Sequence, residues 1–266
     1  MNDSKWTAPR IRALKGNGKL ACLTAYDFSV ARLMDEVGIP LLLVGDSLAA
    51  TVLGYPTTLP VTMAEMLHHT AAVARGCRLA MVVADMPFMS YQVSAAQAVE
   101  NAGRFVKEAG ADGVKIEGGA FRSAAIHAVV ENGIPVMGHI GLTPQSIKAM
   151  GGYKVQGRKT EDAVKLVADA KALEEAGVFS IVIECVPPDV GEEITRAVSV
   201  PTIGIGAGAG CDGQILVSHD LLGLSGGHVP KFVKQYADLG AAMRTAFTAY
   251  REDVERGRFP GPEHGY

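Results

Sequence analysis

The chain has 266 residues, with 25 Lys and Arg against 28 Asp and Glu, a formal charge of −3 and a hydrophobic share of 48%. That balance excludes the basic footprint of a protein that holds nucleic acid by neutralising phosphates, and it argues against docking on an anionic membrane surface. The composition is that of an ordinary globular protein, and roughly 250 residues is the usual size of a single (β/α)8 barrel.

The opening, Met1 to Arg10, lacks the apolar run of a secretory signal. Nowhere do about 18 apolar residues follow one another, so neither a signal peptide nor a membrane span is expected. Cys22, Cys77, Cys185 and Cys211 are dispersed without a CxxC pair. This predicts neither a disulfide framework nor a cysteine zinc site, and a cytoplasmic location. Cys185, after a strand-like run, reads as a packing residue.

Short apolar runs recur at Leu20 to Tyr26, Leu41 to Val44, Leu79 to Ala84, Val114 to Ile116, Val136 to Ile140, Val178 to Ile183 and Thr202 to Ile205. Without polar alternation they fit strands covered on both faces, as in a parallel sheet. Helical patterns lie between them. Val30, Leu33, Met34 and Val37 follow helical spacing up to Gly38 and Pro40, which stop the helix.

Thr62 with Glu65 and Ser94 with Gln97 read as capping boxes, closing at Gly76 and Gly110, because a hydroxyl and a carboxylate or amide satisfy unpaired N–H groups reciprocally. Ser123 to Asn132, Thr160 to Ala176 and Asp189 to Ala197 continue the alternation, with a cap at Thr160. Gln214 to Leu222 suits a strand or a helix, and Lys231 to Arg251 reads as a terminal helix. The order predicts an α/β fold with parallel strands, either a closed barrel or a doubly wound sheet. No linker or shift of composition divides residues 1–266, so one domain with a short N-terminal extension and a helical C-terminal tail is expected.

The polar chemistry favours the barrel, because it is spread over five strand ends rather than one crevice. Asp46, Asp85, Lys115 with Glu117, His139 and Glu184 each stand at or near the end of an apolar run. A single such residue reads as a helix cap or a structural ion pair. A barrel, however, gathers all of them at one mouth. Crowded carboxylates cannot all stay ionised in a low dielectric unless a cation joins them. Oxygen ligands from Asp46, Asp85 and Glu117 suit Mg²⁺; His139 would argue for Zn²⁺, but no HExxH and no cysteine ligand accompany it.

Lys115 and Glu117 alternate with Val114 and Ile116, which points both polar chains into the barrel. Lys115 there suits an anionic substrate group or a salt bridge to Glu117. Glu184, after Ser-Ile-Val-Ile, is expected to be desolvated, which raises a carboxyl group towards the range of a general base. The glycines from Gly204 to Gly210 make a weak dinucleotide match and suit a tight rim as well. Gly151 to Thr160 has no Walker pattern and reads as a flap after the fifth strand. His68 and His69 read as surface or packing residues, and Met63, Met66 and Leu67 as the apolar face of their helix.

Several ordered phrases carry a family likeness: Leu43-Val-Gly-Asp-Ser47, Ala84-Asp-Met-Pro-Phe88, Val114-Lys-Ile-Glu-Gly-Gly119, Gly138-His-Ile-Gly-Leu-Thr-Pro-Gln145, Gly151-Gly-Tyr-Lys-Val-Gln-Gly157 and Glu184-Cys-Val-Pro187. With these the chain resembles the ketopantoate hydroxymethyltransferases over nearly its whole length, departing at Ala49, where the family usually has Gly.

The resemblance implies a (β/α)8 TIM barrel of the phosphoenolpyruvate/pyruvate type, a homodecamer of two stacked pentameric rings and a place in pantothenate biosynthesis. It implies hydroxymethyl transfer from 5,10-methylenetetrahydrofolate to ketoisovalerate through a magnesium-stabilised enolate. Mg²⁺ would be held by Asp46, Asp85 and Glu117, and the keto acid by Asp46, Ser47, Asp85, Lys115 and His139. Glu184 would accept the proton. The competing readings are a Mg²⁺-dependent carbon–carbon lyase or phosphomutase, a metabolite-binding barrel without turnover, and a pentose- or indole-phosphate barrel using the glycine loop.

Overall fold

The computed structural model describes residues 4–226 and 229–266. Eight strands run β1 Leu20–Thr24, β2 Leu41–Val44, β3 Met81–Asp85, β4 Gly113–Glu117, β5 Val136–Gly141, β6 Ser180–Glu184, β7 Thr202–Ile205 and β8 Gly213–Leu216. Each pairs in parallel with the next, and β8 closes on β1. The helices are α1 Ala8–Arg12, α2 Phe28–Glu36, α3 Leu48–Thr51, α4 Met63–Gly76, α5 Ala95–Ala109, α6 Ser123–Glu131, α7 Ile147–Met150, α8 Thr160–Glu175, α9 Pro188–Ala197, α10 Ser218–Leu221 and α11 Leu239–Glu255. The chain divides into two compact units, residues 1–217 and 218–266. The first holds the whole barrel.

Alternation along the strands sorts side chains into two cores. Leu41, Leu43, Met81, Val83, Met137, Val182 and Ile203 fill the barrel interior, joined by Ala8 and Ile11 of α1. Val82, Ala84, Val114, Ile116, Ile181 and Ile183 face outward with buried residues of the surrounding helices, among them Phe105 of α5 and Leu173 of α8. Burying one such large apolar side chain contributes about 1.5–3 kcal/mol, so apolarity on both strand faces is what the closed sheet requires. Along β3, β4, β5 and β6 the interior therefore gains ionisable residues towards the C-terminal ends, and that change places the site there.

Local rules account for most boundaries. The Thr62 and Glu65 box at α4 is complete. At α5 only half of the expected box forms: Ser94 Oγ accepts from Gln97 N–H, but the Gln97 amide oxygen accepts from Val93 N–H instead of Ser94 N–H. Thr160 is the first helical residue of α8 rather than its cap; Lys159 stands at the cap position without a capping side-chain bond. The ambiguous segment after β7 resolves into a strand, β8, followed by the short helix α10.

The expected terminal helix starts later, at Leu239, and runs to Glu255. Residues before it fold back instead, with Tyr236 N–H donating to Leu221 O, and the Asp238 side chain accepts from Ala241 N–H to begin α11. A good cap thus overrides helical spacing upstream of it. No helix among the described residues is long and apolar enough to cross a membrane.

Candidate active site

Register brings the polar strand ends together. Asp85 lies beside Lys115, Glu117 beside His139, and Gly141 beside Glu184. Each pair shares one face of the sheet, so these side chains enter the same interior mouth as expected. Lys115 Nζ stands 2.9 Å from Asp85 Oδ1, 3.6 Å from Glu117 Oε1 and 3.1 Å from His139 Nδ1. His139 Nδ1 is 3.3 Å from Glu117 Oε1, and its Nε2 is 3.2 Å from Glu184 Oε2. Asp46, two residues past the end of β2, donates its backbone N–H to Asp85 Oδ2 at 3.1 Å.

Ser47 neighbours Asp46 and shares a 2.8 Å hydrogen bond with the hydroxyl of Tyr26. All seven residues singled out in the sequence, Asp46, Ser47, Asp85, Lys115, Glu117, His139 and Glu184, therefore fall at one end of the barrel. Asp46, Asp85, Lys115, Glu117 and His139 are each no more than 4% exposed. Glu184 is the most open of the linked acids, its side chain 18% exposed, so the desolvation expected of it is only partial.

Electrostatics follow from crowding. Burial pushes the Asp46 carboxyl well up, and the neighbouring charges of Asp85 and Glu117 push it further against Lys115. Burial likewise raises Asp85, with Lys115 opposing. Glu117 goes the other way: burial would raise it, but Lys115, His139 and the Gln145 N–H together hold it low. Lys115 is raised because Asp85, Glu117 and Asp46 outweigh the cost of burial.

For His139, burial and Lys115 favour the neutral ring. The Glu117 and Glu184 carboxylates beside the ring outweigh them and raise its pKa to about 9.

Gln145 escaped the sequence reading. A neutral amide after Thr-Pro carries no charge pattern that would mark its role. Its Nε2 donates to Asp46 Oδ2 at 3.1 Å and to Met86 O at 2.9 Å, and its backbone N–H donates to Glu117 Oε2 at 3.1 Å. Tyr91, also missed, donates its hydroxyl to Gln145 Oε1 at 2.7 Å.

Elsewhere the plain readings hold. His68 is exposed, while His69 Nδ1 lies 2.7 Å from Tyr26 O. Met66 and Leu67 are buried. The glycine-rich loop is a tight rim: a Cβ on Gly208 would meet Pro188 at 2.6 Å and one on Gly210 would meet Glu192 at 2.8 Å. Burial pushes the Cys185 thiol up to about 12, and it is not poised as a nucleophile. Gln156 N–H of the segment after α7 donates to Cys185 O at 2.8 Å. A cavity of about 340 Å³ lies beside the mouth, lined by Gly118, Phe121, Thr143, Gln156 and Asp169 among others, and none of the seven site residues lines it.

A closed barrel of eight parallel strands with acids at the strand ends is a TIM barrel with its polar chemistry at the C-terminal face. Phosphoenolpyruvate phosphomutase from Streptomyces platensis subsp. rosaceus has this fold with a TM-score of 0.63 and 16% identity, covering 94% of this chain and 88% of that one. A 2,3-dimethylmalate lyase described as a PEP mutase/isocitrate lyase superfamily member matches with a TM-score of 0.61 and 16% identity, covering 96% and 92%.

Sequence narrows the class further. The profile of the ketopantoate hydroxymethyltransferases matches residues 5–262. The 3-methyl-2-oxobutanoate hydroxymethyltransferase of Syntrophobacter fumaroxidans is 58% identical over 260 residues, 98% of this chain and 92% of that protein. The chain belongs to the ketopantoate hydroxymethyltransferase family.

Proposed function

We propose that the chain converts 3-methyl-2-oxobutanoate (ketoisovalerate), 5,10-methylenetetrahydrofolate and water into ketopantoate and tetrahydrofolate, for pantothenate biosynthesis. The observation that carries this reading is the linked set Asp85, Lys115, His139 and Glu184 at one barrel mouth, in a chain 58% identical to a protein of that name.

A hard divalent cation fits the donors. Three carboxylates, Asp46, Asp85 and Glu117, face one ammonium, and Glu117 Oε1 is buried without a hydrogen bond. Among the described residues no three ligating side chains are gathered about one point, so the fit is one of oxygen chemistry and charge. Mg²⁺ held by Asp46, Asp85 and Glu117 would supply Lewis acidity that polarises the keto group and makes the neighbouring C–H acidic.

The protein's own groups do the rest. Ser47 and Lys115 hold the carboxylate end of the keto acid. Glu184, open to the mouth, takes the C3 proton onto its carboxylate, and the electron pair moves towards the keto oxygen. Lys115 and His139 place positive or hydrogen-bonding groups where that oxygen gains charge, an arrangement that stabilises the transition state more than the ground state. C3 then bonds to the methylene carbon, both of whose bonds to folate nitrogens break in the overall transfer; water supplies the hydroxyl, and the C3 proton and the other water proton end on those two nitrogens.

The finer assembly expected is a homodecamer in the cytoplasm. In support, α11 exposes Leu239, Met243, Phe247, Tyr250 and Val254 at helical spacing in the single chain, a stripe suited to contact between subunits. Light scattering should return ten times the 27.9 kDa chain mass.

The direct test of the activity is product analysis. Ketoisovalerate and methylenetetrahydrofolate should give ketopantoate; turnover of phosphonopyruvate without ketopantoate would favour the phosphomutase alternative.

A further inference from the structure

Gln145 occupies the single 3-10 turn Pro144–Ser146 that follows β5 and is 5% exposed. Its amide orientation is fixed, since Met86 O can only accept a hydrogen bond and therefore selects Nε2 as its neighbour. The second hydrogen of that NH2 goes to Asp46 Oδ2. On the other side, Oε1 accepts from Tyr91 Oη at 2.7 Å and from Gln92 Nε2 at 3.2 Å. Every donor and acceptor of the amide is used. The backbone N–H of the same residue holds Glu117 Oε2.

One neutral residue thus ties the loops after β2, β3 and β5 to the end of β4 and grips two of the three carboxylates at the mouth. We infer that Gln145, locked by Tyr91, is a positioning residue: it turns Asp46 and Glu117 so that each leaves one carboxylate oxygen for a divalent cation and the keto acid. A cation in this place, such as Lys or Arg, would pair with the acids and compete with the metal. A carboxylate would add repulsion. An amide donates without doing either, and that is the physical reason for a glutamine here. Partners that orient ligating carboxylates matter quantitatively, since their loss typically costs about 10–100-fold in metal affinity or activity.

The inference rests on the reading of Asp46, Asp85 and Glu117 as cation ligands, and the test separates the two. Mn²⁺ is titrated into the full wild-type chain, Gln145→Met and Tyr91→Phe, following free Mn²⁺ by electron paramagnetic resonance, with thermal unfolding recorded in parallel. Wild type should bind one Mn²⁺ per chain. Gln145→Met keeps the length of the side chain but donates nothing, and it should bind at least about tenfold more weakly. Tyr91→Phe should weaken binding by a smaller factor, because the amide stays but loses its lock.

The KM for ketoisovalerate should rise in both variants while that for methylenetetrahydrofolate stays constant. If wild type binds no Mn²⁺, the metal reading falls and this inference with it. If wild type binds and a cooperatively folded Gln145→Met binds equally well, only the inference falls, and a lowered melting temperature alone would mark Gln145 as structural. Should Gln145→Met fail to fold, unchanged Mn²⁺ affinity in Tyr91→Phe overturns the inference.

Discussion

His139 Nε2 and Glu184 Oε2 stand 3.2 Å apart, joining the interior faces of β5 and β6 at the mouth of the barrel. The imidazole is buried and held from its other side by Lys115 and Glu117, so it fixes the direction in which the more open Glu184 carboxylate points. His139→Leu should therefore leave Glu184 present but unaimed. A misplacement of 1 Å can cost about 100-fold in rate, and a loss of that order is expected in proton exchange at C3 of saturating ketoisovalerate. An unchanged exchange rate would show that the contact does not orient the base.

Gly141 packs against the backbone of the same glutamate. Its φ is +91°, and a Cβ there would lie 2.2 Å from Glu184 O. Gly141→Ala cannot relax by rotating a side chain, because the obstacle is backbone. Left-handed strain alone costs about 1–3 kcal/mol, and the clash adds to it. Calorimetry should show a lower melting temperature, and C3 exchange should fall with it as β6 is displaced. A variant with wild-type melting and exchange would contradict this coupling of fold to site.

At the opposite end of the barrel, Asp212 Oδ2 accepts from Thr202 N–H and Lys15 Nζ, each at 2.9 Å. Burial works to raise its pKa, but these bonds outweigh it and hold the carboxyl below the ordinary aspartate range. A depressed folded pKa means that the stabilisation is complete above the unfolded value, near 4, and is lost as pH falls through the folded value. Hydrogen bonds to a charged group contribute about 1.5–3 kcal/mol. Asp212→Asn should therefore melt lower at pH 7, and the gap to wild type should close on acidification below about pH 4. A gap independent of pH would assign the effect to something other than the charge.

Much of this was legible in the chain. Runs such as Leu41 to Val44 and Val136 to Ile140 are apolar on both faces, which marks interior parallel strands, and the first ionisable residues beyond or within these runs, Asp46 and His139, mark the mouth. Lys115 and Glu117 could be placed inward from strand alternation alone. Gln145 and Tyr91 could not. Their importance comes from hydrogen bonds between segments 54 residues apart, and nothing in residue type or spacing announces such a pair. The start of α11 was missed for a related reason, since the fold-back of Tyr236 onto Leu221 is a local tertiary preference that helical periodicity does not record.

The central claim is that Glu184 removes the C3 proton of a keto acid activated beside Asp46 and Asp85. Deuterium exchange at C3 of ketoisovalerate, followed by proton NMR in D2O without folate, isolates that step. Exchange should be catalysed by the wild-type chain with Mg²⁺, stop on chelation with EDTA, return on adding Mg²⁺ back, and be lost in Glu184→Gln even though the keto acid still binds. Exchange that persists in Glu184→Gln, or that ignores the removal of the metal, would contradict it.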